Sequence, residues 1–145
     1  MLDQSQYFLE DLAVGMTATF EKTVSEADVI EFAGISGDNN PLHLDADYAA
    51  GTMFGERIAH GMLTASLISA VIATRLPGNG TIYLSQSLRF RAPVLLGQSV
   101  AATVEITDIH PTRRRVTLAC KCIVADKVVL DGEALVMVPS RDASA

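Results

Sequence analysis

Residues 16–24 alternate apolar and polar positions and put Met16, Ala18, Phe20 and Val24 on one face, the period of a half-buried strand. Ser25 follows as a helix N-cap with Asp28 three positions on, and Val29, Ile30, Phe32 and Ala33 supply the apolar stripe of a helix expected to stop near Gly34. The stretch 36–41 is dense in Gly, Asp and Asn and closes on Pro41, which predicts an ordered loop, with a short helix after it over 46–50. From Gly61 the pattern changes. Met62, Leu63, Ala65, Leu67, Ile68, Ala70, Val71, Ile72 and Ala73 leave no charged face before Arg75, and a helix apolar all round has to be wrapped by other structure. Pro77, Gly78 and Gly80 end it.

The remainder reads as strands. Ile82, Leu84, Leu88 and Phe90 alternate with Tyr83, Ser85, Ser87 and Arg89; Val100, Ala102, Val104 and Ile106 repeat the period, as do Val116, Leu118, Cys120, Cys122 and Val124. The last run, 128–138, is apolar on both faces apart from Asp131 and Glu133, as a central or interface-covered strand would be. Four strands after one long buried helix, with an earlier strand free to join them, predict an α+β domain whose antiparallel sheet curls around that helix. At 145 residues the chain suits one domain over 1–145, with 139–145 expected to form a flexible tail.

Charge and cysteine content narrow the function. A net charge of −6 argues against a nucleic-acid surface, which needs concentrated cations. Cys120 and Cys122 flank Lys121 on one strand face and lack further ligands nearby in sequence, so they read as reduced core thiols and no metal site is expected. The acidic, polar N-terminus lacks a signal-peptide pattern, and Gly61–Thr74 is shorter than the roughly 18 apolar residues that span a bilayer. A cytoplasmic, membrane-free protein is the expectation.

The densest polar information is Ser36-Gly37-Asp38-Asn39-Asn40-Pro41-Leu42-His43-Leu44-Asp45. On a continuous helix Asp38 and His43 would diverge by roughly 140°, but Pro41 drives Asn40 off helical angles, and the turn it favours brings carboxylate and imidazole together. Such a pair suits proton transfer, and Asn39 and Asn40 orient the loop. The same residues also fit an ordinary turn followed by a partly buried histidine. A second cluster, Arg57-Ile58-Ala59-His60-Gly61-Met62, sets a glycine at the mouth of the buried helix, where unpaired N–H groups can hold developing negative charge. Its alternative reading makes Gly61 a packing residue and His60 a surface or capping residue.

Together these segments resemble the MaoC-like (R)-specific enoyl-CoA hydratases over residues 8–138, most strongly in 36–45, with Ile58-Ala59-His60-Gly61-Met62 and the run 80–90 also similar. The resemblance implies a hot-dog fold, a long central helix wrapped by a curved antiparallel sheet, in a short bacterial type that supplies polyhydroxyalkanoate synthesis. It implies reversible syn hydration of trans-2-enoyl-CoA to (R)-3-hydroxyacyl-CoA by a homodimer, without a cofactor. By the same carry-over Asp38 and His43 hold one water, Asp38 as base and His43 as proton donor towards Cα. Gly61 N–H binds the thioester oxygen, and Asn40 and Ser69 support the site, with Ser66 a nearby alternative to Ser69. An acyl-CoA thioesterase and a non-catalytic acyl-CoA binding module are the competing readings, since one fold hosts several activities. Arg57, Arg75, Arg89, Arg91 and the run 113–115 are the basic candidates for the CoA phosphates, none of them assigned.

Overall fold

The computed structural model describes residues 4–142. Its elements run β1 (Thr17–Thr23), α1 (Glu26–Ser36), α2 (Pro41–Leu44), α3 (Ala46–Ala50), α4 (Gly61–Thr74), β2 (Ile82–Gln86), β3 (Arg89–Phe90), β4 (Ser99–His110), β5 (Arg115–Val124) and β6 (Lys127–Met137). All strand pairs are antiparallel, in the order β1-β4-β5-β6-β2, with β3 also on β6. The run 82–90, expected as one strand, is two, because Ser87 leaves the ladder and its N–H and hydroxyl bond to the Glu133 backbone instead.

Alternation along β4, β5 and β6 turns Val100, Ala102, Val104, Ile106, Val116, Leu118, Cys120, Cys122, Ala134 and Val136 inward, each at most 3% exposed. They meet Leu67, Ile68, Val71 and Ile72 of α4 in one core. Register shifts at 106/108 and 122/123 bend the sheet around that helix, since each extra residue kinks its strand and raises the local twist. β6 lies between β5 and β2, which accounts for a strand apolar on both faces.

The expected wrapping of α4 is incomplete. Met62 is 56% exposed, and Ser66 and Ala73 also lie open along one side of the helix. That side faces β2, the end strand of the sheet, whose Ile82, Tyr83 and Leu84 are exposed too.

Helix α1 begins as the capping pattern predicts: Ser25 Oγ accepts from Asp28 N–H (3.1 Å), and Asp28 accepts from Ser25 N–H (3.0 Å). That backbone bond, with Lys22 beside it, holds the Asp28 carboxyl below its ordinary value. The helix runs past Gly34 to Ser36. It stops at Gly37, whose φ of 81° is the left-handed conformation a glycine adopts without a Cβ clash. Ile30, expected in the apolar stripe, is 53% exposed, because Val29 and Ala33 suffice to face the core.

The start of the expected flexible tail is docked. Pro139 C=O accepts from Leu9 N–H, and Arg141 makes a two-pronged ion pair with Asp11 (2.7 and 2.9 Å) over the Phe8 ring. Residues 143–145 of that tail lie outside the described residues.

Two outcomes follow from this packing. Ser25→Ala removes one reciprocal cap and lowers unfolding free energy by about 1 kcal/mol in urea titration. Burial pushes the thiols of Cys120 and Cys122 up to about 11 and about 12, so at pH 8 almost none is thiolate. A disulfide reagent at that pH reacts with both only after denaturation; equal rates in native and denatured protein contradict the burial.

Candidate active site

The loop between α1 and α2 is built by short-range hydrogen bonds. Ser36 Oγ donates to Phe32 C=O (2.7 Å) and accepts from Asp38 N–H (3.1 Å), turning the chain as the helix ends. Asn40 sits at φ −53°, ψ 129°, off helical angles as a residue before proline should be, and its Oδ1 caps α2 by accepting from Leu42 N–H (3.0 Å). Asn40 therefore shapes the loop. Pro41 opens α2, one turn long, which carries His43 into the interior at 7% exposure.

Two contacts hold that turn in place. His43 Nδ1 lies 2.8 Å from Ile58 C=O, and Arg57 Nε donates to His43 C=O at 2.8 Å while its Nη1 reaches Glu26 of α1 at 3.2 Å. A carbonyl only accepts, so Nδ1 carries a proton and Nε2 is the ring nitrogen left for another partner.

Asp38, exposed at the loop, and His43 each bring a donor atom within 4.8 Å of the other and of one from His60. One water with two hydrogen bonds of about 2.8 Å needs its two acceptors roughly 4.4 Å apart. The turn at Pro41 thus brings carboxylate and imidazole to a separation that one water spans.

His60, for which a surface or capping position was the alternative expectation, stands at the N-cap position of α4, but it is 1% exposed and its side chain makes no cap hydrogen bond. Its Nε2–H donates to Asp38 C=O (2.8 Å), and its ring faces His43 with centroids 4.0 Å apart and planes tilted by 30°. Phe32 packs against it at 4.9 Å. The only signal in the sequence was adjacency to Gly61; nothing periodic marks a lone histidine as buried.

Asp38, His43 and His60 are also the kind of donor set that binds metal, but the ring geometry opposes it. An ion bound to an imidazole lies in the ring plane about 2 Å from its nitrogen. Two rings face to face with planes only 30° apart cannot both aim at one such point.

Gly61 begins α4 beside this cluster, with no side chain accepting from the helix start. A Cβ there would stand 2.6 Å from the Phe90 ring, so the ring packs directly against the glycine and a larger residue would have to displace it. Ser69 is not brought to the cluster: eight residues on, it lies roughly 12 Å further along the helix axis. It lines a groove of about 540 Å³ with Phe32, Met62, Ser66, Tyr83 and Leu88 among its walls. Ser66 spends its hydroxyl on Leu63 C=O, whereas the Ser69 hydroxyl has no hydrogen-bond partner among the described residues. Phe32 joins the groove to His60.

Of the basic candidates, Arg57 is spent on Glu26 and His43, Arg75 on Thr19 C=O and the Phe20 ring, and Arg91 on Asp131.

Residues 11–128 match the family described as MaoC like domain. A 3-hydroxybutyryl-CoA dehydratase of Methylorubrum extorquens is 56% identical over 93% of this chain and 86% of its own length. An (R)-specific enoyl-CoA hydratase of Rhodospirillum rubrum is 53% identical over 93% and 94%. The solved (R)-hydratase of Aeromonas caviae, described as involved in PHA biosynthesis, superimposes with a TM-score of 0.87 at 43% identity, covering 90% of this chain and 99% of that one. With its long helix in a curved antiparallel sheet and a family match over most of its length, the chain belongs to the MaoC-like hot-dog proteins.

Proposed function

We propose that this protein is an (R)-specific enoyl-CoA hydratase, adding water reversibly and syn to trans-2-enoyl-CoA to give (R)-3-hydroxyacyl-CoA. One observation carries the reading: an Asp38 carboxylate and a His43 imidazole with ligating atoms within 4.8 Å of each other, close to the span of one doubly bonded water, beside a helix start. With both water protons accepted, by Asp38 and by His43 Nε2, an oxygen lone pair is left to attack Cβ. Asp38 takes the proton as the C–O bond forms and returns it to Cα from the same face, which makes the addition syn. The electron pair of the double bond moves onto the thioester carbonyl, where Gly61 N–H accommodates the enolate oxygen.

This assignment revises the donor role expected for His43. With Nδ1 committed to Ile58 C=O, Nε2 is the nitrogen left to meet the water, and in this assignment it accepts from the water and orients it. Asn40 acts through the loop and Ser69 through the groove, which suits the acyl chain because its walls are mostly apolar.

A homodimer fits the open flank, where edge strand β2 exposes Ile82, Tyr83 and Leu84 alongside the uncovered side of α4. Among the described residues no helix is long and apolar enough to cross a membrane. A cytoplasmic location is part of the same proposal. Supply of (R)-3-hydroxyacyl-CoA for polyhydroxyalkanoate synthesis matches the described role of the Aeromonas caviae relative.

Incubation with crotonyl-CoA tests the reading directly. Loss of enoyl absorbance without thiol release supports hydration; thiol release identifies a thioesterase, and binding without either identifies a non-catalytic module. Asp38→Asn and His43→Gln each lower turnover by at least ~100-fold with the fold intact by circular dichroism. Near-normal rates in both variants refute these roles.

A further inference from the structure

We propose that His60 is a positioning residue of this hydration site, a strut that sets Asp38 and His43 against the start of α4; the inference rests on the hydratase reading above. The residue joins three parts of the site. Its Nε2–H bonds Asp38 C=O at 2.8 Å, which orients the peptide carrying the proposed base. Its ring lies against His43 at 4.0 Å, and with the Nδ1 bond to Ile58 this leaves the His43 imidazole little freedom to rotate. Its own carbonyl accepts from Leu63 and Thr64 N–H (3.1 and 3.2 Å), so its backbone is part of the helix start that presents Gly61.

Stability alone does not account for an imidazole here. His60 is 1% exposed, and its Nδ1 has no hydrogen-bond partner among the described residues. A buried nitrogen without a protein partner is a cost that an apolar side chain of similar volume avoids. What the imidazole adds is a donor aimed at Asp38 combined with a flat face for His43. Proton transfer depends steeply on such placement, since a shift of about 1 Å in a reacting group can cost about 100-fold in rate. The proposed oxyanion donor belongs to the Gly61 backbone, which side-chain replacement at position 60 leaves in place, so the effect falls on kcat rather than on KM.

Four variants separate the contributions, each assayed for crotonyl-CoA hydration and thermal unfolding: His60→Phe, His60→Gln, Asp38→Asn, and Asp38→Asn combined with His60→Phe. His60→Phe keeps an aromatic face and loses the donor; His60→Gln keeps an N–H donor and loses the ring. The expected result is a kcat about 10- to 100-fold lower in His60→Phe with KM within about 2-fold, and partial recovery of kcat in His60→Gln. In an Asp38→Asn background the loss from His60→Phe shrinks, because the strut then holds a group that no longer takes a proton. Wild-type kcat in both single variants overturns the proposal while leaving the hydratase reading intact. So do losses that track lowered thermal stability and multiply undiminished with Asp38→Asn. If His60→Phe does not fold, His60→Gln with and without Asp38→Asn decides by the same comparison. An unmodified protein that does not hydrate crotonyl-CoA overturns the hydratase reading itself, and this inference with it.

Discussion

The bond between His43 Nδ1 and the Ile58 carbonyl is the interaction on which the site depends. It draws a one-turn helix from the surface loop into the segment leading to α4, and it determines which imidazole nitrogen faces Asp38. Without it, α2 is four residues long and has too few internal hydrogen bonds to hold an orientation. Arg57 reinforces it from behind by donating to the His43 carbonyl while paired with α1. The chemistry is therefore assembled from side chain to backbone contacts, each spanning a short gap between consecutive elements.

Those contacts have to be anchored to something that does not move, and the sheet provides it. The inner faces of β4, β5 and β6 close on α4 with almost no exposed surface, and interiors packed at that density resist displacement. The flank of α4 towards β2 is different. There the helix and the edge strand stay apart, leaving the groove that contains Ser69. Rigidity on one side of the helix and an opening on the other are complementary: the packed face locates Gly61 and His60, and the open face leaves the groove.

Much of the architecture was legible along the chain. The bounds of α3 and α4, the reciprocal cap at Ser25 and Asp28, and the inward faces of β4 and β5 are set by patterns of one to four residues, and local physics enforces such patterns wherever they occur. The proline that separates Asp38 from His43 belongs to the same class, because its effect on Asn40 is steric and immediate. Departures arose where neighbours compete. Gly34 did not stop α1, since Gly37 offered the left-handed angle one turn later, and Ile30 stayed in solvent because the core had no room for it.

By itself, then, the sequence determined the elements, the break in the polar loop and the residue types that meet there, since each depends on bonds and clashes within a few positions. Tertiary structure alone decided that His60 is buried against His43 and bonded to the Asp38 carbonyl, and that Nδ1 and not Nε2 of His43 is spent on a carbonyl. Those outcomes turn on atoms contributed by segments up to 22 positions apart, and no local period encodes the distance between them.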